Sequence, residues 1–241
     1  MQVRNCTALV TGANRGIGRA LVHALLGAGA GKVYAAAREV SKLEATLAFD
    51  RARVVPLELD VTSASAIEAA ASRASDITLL VNNAGVLDFG GVLDTPHEKV
   101  ERNFATNFYG KLAMSRAFAP VIEINGGGAI VNILTLVALA SMPGLAIYNA
   151  SKAAAWSMTQ SLRASLAAKK IEVYGVFPGA VDTDMLAGVE MPKTSPADVA
   201  RAVIAGVIEG REDIFPDPMS QQVYQSWRQD HKAVEKQFAT M

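Results

Sequence analysis

Apolar residues along the chain gather in short uninterrupted runs rather than in strict alternation with polar ones. Runs of strand length fall at 7–10, 32–37, 53–57, 78–81, 129–134 and 172–177. A strand with one wet face would alternate, so continuous runs point to strands buried on both faces. Between them lie longer Ala- and Leu-rich stretches, and helices are predicted over 16–26, 41–49, 64–72, 97–122 and 147–168. This strand–helix alternation predicts an α/β chain with a parallel sheet, right-handed crossovers and helices on both faces. After Pro178 the pattern changes. Residues 184–195 mix Met, Gly, Pro and Lys and read as a loop or short helices. Ser195-Pro196 then opens a helix with Ser as N-cap, Pro at N1 and Asp198 at N3. A short strand near 213–215 and a final helix near 221–238 complete the reading. No repeat, low-complexity tract or Pro/Ser-rich linker marks a boundary, so 1–241 reads as a single domain.

Composition narrows the function. The 241 residues are 51% hydrophobic, enough for one substantial core. Lys plus Arg and Asp plus Glu are 23 each, and a formal net charge of zero argues against a nucleic-acid partner. One cysteine, Cys6, excludes an internal disulfide framework. The histidines, His23, His97 and His231, are too scattered to form a metal cluster by local spacing. The longest uncharged stretch, 124–151, is broken by Asn125, Asn132, Pro143, Gly144 and Asn149 and falls short of the ~20 apolar residues of a membrane span. The N-terminal apolar run leads into a glycine-rich loop rather than a cleavage site. The expectation is a soluble, cytoplasmic protein with a small-molecule partner.

The first strand runs into Thr11-Gly12-Ala13-Asn14-Arg15-Gly16-Ile17-Gly18 and then into a helix. Gly12 permits a tight turn, Gly16 a close approach of backbone to a pyrophosphate, and Gly18 close packing of helix on strand. The helix N-terminus then offers free N–H groups to the phosphates. Such a turn can also be a plain strand–helix connection; its place after the first strand of a βαβ unit favours a dinucleotide. The second strand ends in Arg38, with no carboxylate until Glu39. A carboxylate there would accept from a free ribose 2′-OH, whereas arginine suits a 2′-phosphate. Arg15 can meet the same phosphate from the other side, so NADP (NADPH) is the expected cofactor.

Tyr148 and Lys152 stand four residues apart on a predicted helix and share one face. A phenol of pKa ~10 is a poor acid–base catalyst near neutrality unless a cation stabilises its anion, and Lys152 can supply that cation. With these motifs the chain resembles the short-chain dehydrogenase/reductase family from Thr7 to about Thr183. Thr11–Gly18 matches the family's TGxxxGxG turn, Asp60-Val61 its adenine-contacting acidic position, and Asn82-Asn83-Ala84-Gly85 its NNAG motif. Asn107 sits at the catalytic Asn, Tyr148 and Lys152 form the Y-x3-K pair, and Pro178-Gly179-Ala180-Val181-Asp182-Thr183 matches PGxxxT. The Arg15/Arg38 arrangement resembles that of NADPH-dependent carbonyl reductases.

The resemblance implies a Rossmann-type doubly wound sheet and a reversible reduction of a ketone or aldehyde, and the apolar, Met-rich loops beyond the strand ends point to a hydrophobic, non-acidic one. Tyr148 would exchange the proton with the substrate oxygen. Lys152 would lower the tyrosine pKa and hold the nicotinamide ribose, and Asn107 would hold a water in a proton relay. The cofactor set would comprise Gly12, Asn14, Arg15, Gly16, Ile17, Gly18, Arg38, Asp60, Val61, Asn83, Ala84, Gly85, Tyr148, Lys152, Pro178, Gly179, Val181 and Thr183. Asn82 could instead satisfy turn backbone, and Asp60 could cap the next helix. The family's usual serine is replaced by Thr135, thirteen residues before Tyr148, with Leu134 beside it and Ser141 out of register. Thr135 keeps a hydroxyl able to polarise a carbonyl but adds a methyl to the pocket. Leu87, Leu136, Met142, Leu145, Met185, Leu186 and Met191 are the substrate-side candidates, in loops beyond the strand ends. The tail lacks the family's Gly-rich terminal strand, which leaves a homodimer through the long helices, or a homotetramer, as the expected assembly. Reduction of a C=N bond and a catalytically silent NADP-sensing protein are the rival readings.

Overall fold

The computed structural model describes all residues, 1–241. Seven parallel strands form one sheet: β1 (Thr7–Thr11), β2 (Lys32–Ala37), β3 (Val54–Glu58), β4 (Leu79–Asn82), β5 (Gly128–Ile133), β6 (Ile171–Val176) and β7 (Asp213–Ile214), in the order β3-β2-β1-β4-β5-β6-β7. The strand order reverses between β1 and β4, so their carboxyl ends leave a crevice.

Each strand divides its side chains between two cores, which is why the apolar runs are continuous. Ala8 and Val10 of β1, Val81 of β4 and Val131 of β5 pack beneath α1 (Gly16–Gly27) and α7 (Pro196–Ile208). Leu9, Leu80 and Ile130 point the other way, against α3 (Ala64–Arg73) and α5 (Lys111–Ile124). Ser195 caps α7 by accepting from Asp198 N at 3.1 Å, as the Ser-Pro signal predicts.

Two predicted helices take a different form. The stretch 97–122 comprises α4 (His97–Phe104), one turn of π-helix over Ala105–Gly110, and α5, which runs on to Ile124. Gly110 permits the crowded turn: an added Cβ would lie 3.0 Å from Val61 O. Helical periodicity does not register one extra residue in a turn, and such turns cluster at functional sites. The final helix is likewise two, α8 (Pro218–Gln229) and α9 (His231–Phe238), separated at Asp230, whose side chain accepts from Ala233 N at 2.9 Å and starts the second. Of 41–49, only a 3₁₀ turn (Val40–Leu43) and the single-turn α2 (Glu44–Leu47) are helical. The remaining long helix, α6 (Ala146–Leu166), packs along β6.

The tail is fastened to the sheet by an aromatic stack, Phe177 on Phe215 at 5.0 Å and Phe215 on Tyr224 at 3.9 Å, and by one buried carboxylate. Asp217 is the N-cap of α8, accepting from Ser220 N at 2.8 Å, while its second oxygen accepts from Gly179 N at 2.8 Å. Asp217→Ala strands two buried donors and should cost roughly 2–4 kcal/mol, combining a lost cap with an unsatisfied N–H. Thermal unfolding should show a Tm lower by about 5–15 °C; an unchanged Tm would show that the carboxylate is dispensable.

Candidate active site

A cleft of about 1300 Å³ runs along the carboxyl ends of the strands. Its floor at one end is the glycine turn between β1 and α1. Gly12 and Gly16 have φ of +65° and +53°, and a Cβ on Gly18 would lie 2.1 Å from Gly12 O, so the turn admits only glycine at these positions. No side chain caps α1, whose first N–H groups face the cleft. A cradle of this shape, open at a helix N-terminus, fits the pyrophosphate of a dinucleotide.

Arg15 and Arg38 both line this end and are exposed. Lys42, which sequence reasoning did not single out, lines it too and pairs with Glu39 at 2.6 Å, so the carboxylate nearest Arg38 in sequence is already engaged. Arg15 reaches across the cleft to Asp184 at 2.9 Å. Asp60 is not the cap of α3; Ser63 is. Burial opposes the Asp60 charge, but hydrogen bonds from the Thr62 N–H and hydroxyl, with the nearby Arg38 guanidinium, hold its carboxyl below the usual range.

The far end is built by the strand ends and α6. Tyr148 and Lys152 lie one turn apart on α6, with the ammonium 5.6 Å from the phenol ring centroid. Both are buried, and burial disfavours both charged forms: it pushes Tyr148 up to about 12, against the pull of a hydrogen bond from Thr135, and Lys152 down to about 8. Lys152 Nζ donates to Ile133 O at 3.0 Å. Thr135 follows β5 and faces Tyr148, its hydroxyl also accepting weakly from Val137 N at 3.4 Å. The expected serine position thus carries a hydroxyl in contact with the phenol.

Asn107 lies in the π turn, fully buried and behind the cleft wall. Its Oδ1 accepts from Val86 N at 3.0 Å, and its Nδ2 donates to Val86 O at 2.9 Å and Ser151 Oγ at 3.0 Å. The side chain therefore clamps the loop after β4 to α6 beside the Tyr148–Lys152 pair. Gly85 admits this clamp, since a Cβ there would meet Asn107 Oδ1 at 3.1 Å and Lys152 Nζ at 3.5 Å. Asn82 serves neither turn nor cleft; its amide donates to Asn132 at 2.9 Å inside the sheet layer. Asn83 does hold the turn, donating to Thr11 O at 2.8 Å.

The remaining cofactor candidates, from Asn14 and Ile17 through Val61, Asn83, Ala84 and Gly85 to Pro178, Gly179, Val181 and Thr183, line the same cleft. So do all seven substrate-side candidates, Leu87, Leu136, Met142, Leu145, Met185, Leu186 and Met191. Besides Lys42, two features escaped the sequence reading. Lys111 is buried, with Nζ donating to Asn82 O at 2.7 Å and Ala84 O at 3.1 Å; burial, reinforced by the Lys152 charge, pulls it well below an ordinary lysine. The second is the place of α9, within the helix expected near 221–238, which brings Val234 and Phe238 to the cleft. A lysine after a glycine carries no sequence signal of burial, and the apolar Val234–Phe238 spacing signals only a buried helix face.

Comparison with known proteins matches this geometry. Residues 6–193 fit the short chain dehydrogenase family. The chain is 36% identical over 186 residues to carbonyl reductase [NADPH] 2 of Sus scrofa, covering 77% of this chain and 75% of that one. It is 37% identical over 185 residues to "Probable oxidoreductase EphD" of Mycobacterium tuberculosis, of whose length it spans only 31%. A short chain dehydrogenase from Burkholderia cenocepacia, solved in complex with NADP, is 40% identical with a TM-score of 0.93 over 99% of both chains. The chain belongs to the short-chain dehydrogenase family. No helix is long and apolar enough to cross a membrane.

Proposed function

We propose that the protein is an NADPH-dependent reductase of hydrophobic ketones or aldehydes. The observation that carries this reading is the convergence of the Thr135 hydroxyl, the Tyr148 phenol and the Lys152 ammonium on one cleft whose other end is a glycine cradle flanked by Arg15 and Arg38. The cradle, the free α1 N-terminus and the two arginines would hold NADPH, with the arginines at the 2′-phosphate. Once bound, the cofactor supplies the hydride that reduces the carbonyl carbon.

The chain's own residues handle charge and orientation. Tyr148, protonated at neutral pH, gives its proton to the carbonyl oxygen as negative charge develops there, becoming a phenolate. Lys152 stabilises that phenolate: two groups that burial separately drives toward neutrality form a matched ion pair once the proton has left. Thr135 directs its hydroxyl at the same oxygen and polarises it. Asn107 holds the loop and α6 in register beneath the pair and would help hold a water that links Lys152 to solvent as a proton relay. The same donor set can serve a C=N bond, which a substrate screen distinguishes.

Three measurements test the reading. Tyr148→Phe should lower kcat for ketone reduction at least about 10²-fold while NADPH affinity stays within about twofold, because only the transferable proton is removed. A mutant near wild-type kcat would refute the assignment.

The pH profile should follow Lys152. With its pKa lowered to about 8 it is mostly charged at pH 7 and loses its proton above pH 8, while Tyr148, raised to about 12, remains a proton donor throughout. Reductive kcat/KM should therefore be level near neutrality and fall about tenfold per unit above pH 8; a level profile through pH 9.5 excludes this role for the ammonium. Finally, Arg38→Asp should shift the NADPH/NADH ratio of kcat/KM at least about tenfold toward NADH, since a carboxylate repels the 2′-phosphate and accepts from a free 2′-OH. A wild type that prefers NADH would overturn the reading of Arg15 and Arg38.

A further inference from the structure

The last helix has no place in either core of the sheet. Val234 and Phe238, four residues apart on one face of α9, are 3% and 4% exposed, yet they lie outside both large cores. They belong to a separate small cluster with Leu136, Val137, Ala140 and Tyr148. The buried face of α9 thus packs into the same apolar cluster as Tyr148, whose phenol would deliver the proton. The same two side chains line the cleft, with Gln237 and Met241 from the same segment. This stretch lies beyond residues 6–193, which fit the family, while the NADP-bound Burkholderia cenocepacia structure covers 99% of this chain.

The surrounding charges define what such a wall admits. Arg102 is the cationic side chain that lines the cleft beyond Gly85 without belonging to the catalytic pair, and it is held in a forked contact by the buried carboxylate of Asp88. The tail contributes only neutral donors and acceptors, Gln222, Ser226 and Gln237. A substrate carboxylate or phosphate entering here would find no unpaired cation except the Lys152 ammonium, which lies behind Tyr148 and serves its phenolate, whereas an apolar body carrying a neutral oxygen would find both packing and hydrogen bonds.

We propose that α9 is an intramolecular cap that sets substrate choice, Phe238 limiting the size of an uncharged, mainly apolar carbonyl compound on the side away from the cofactor. The proposal rests on the reductase reading above. Removing the ring enlarges the cleft beside Tyr148 without touching the glycine cradle, so selection by size should change and cofactor binding should not.

The test compares kcat/KM with NADPH for acetophenone, 2-acetonaphthone and 4-acetylbenzoate across wild type, Phe238→Ala, Phe238→Leu and Phe238→Trp. In wild type the carboxylate-bearing ketone should react at least about 100-fold less efficiently than acetophenone. Phe238→Ala should raise the naphthyl-to-phenyl ratio at least about tenfold, chiefly through KM, with Leu intermediate, Trp opposite and NADPH affinity within about twofold. Leu and Trp keep the contact apolar and so answer the question even if the Ala protein folds poorly. An unchanged size ratio in variants that bind NADPH normally overturns the cap, as does efficient turnover of the carboxylate. Wild type inactive on every carbonyl compound would overturn the reductase reading instead. The cap then stands or falls on binding of the neutral dye Nile red, whose Kd Phe238→Ala should lower at least about fivefold; equal affinities would refute it.

Discussion

The site depends on two buried lysines that have backbone carbonyls as hydrogen-bond partners and no carboxylate. Lys152 donates to Ile133 O at the end of β5, and Lys111 to Asn82 O and Ala84 O at the end of β4. The buried acids are committed elsewhere, Asp88 to Arg102 and Asn103, and Asp217 to backbone N–H groups. An ammonium removed from water without a counter-ion is costly, and the cost is what lowers the Lys152 pKa to about 8. The missing counter-ion is the group that the proposed proton transfer creates. Carboxylates placed beside Lys152 would stabilise the resting protein and leave nothing for the phenolate to gain.

The lysines also explain why the strand ends are so polar. Asn82 bonds Asn132 across the sheet, Asn132 bonds Thr159 at 3.0 Å, and Ser115 returns to Lys111 O at 2.7 Å. This seam ties β4, β5, α5 and α6 together behind the cleft, so the elements that carry Lys111, Tyr148 and Lys152 are held by one connected network. A fully satisfied buried network of this kind is rigid, and Asn107 adds a separate clamp between the loop at Val86 and Ser151 on α6.

Much of this was legible in the sequence because the constraints were local. Continuous apolar strands follow from a sheet covered on both faces, and Leu9 against Ala8 and Val10 shows the division residue by residue. Gly12, Gly16 and Gly18 reveal the cradle because no other side chain fits there. Features set by tertiary contact were hidden. The π turn around Asn107 differs from an ordinary helix by one residue, and its cause, the approach of Gly110 to Val61, joins residues far apart in sequence. Nothing beside Lys111 marks it as buried. The break at Asp230 was readable as a capping residue, yet the apolar positions on both sides of it read as one helix.

The anchoring of the tail has a further consequence. Asp217 joins the N-terminus of α8 to Gly179, and from that point onward the chain meets the site only through α8 and α9. The sheet, the cradle and the proton-donating pair are all complete before that residue. The stretch 218–241 is therefore attached at a few identifiable points, the Asp217 carboxylate, the Phe215–Tyr224 stack and the small apolar cluster at the cleft. A scaffold organised this way can diversify its choice of substrate by changing its last two helices, with the machinery of the reaction left under separate and stricter constraint.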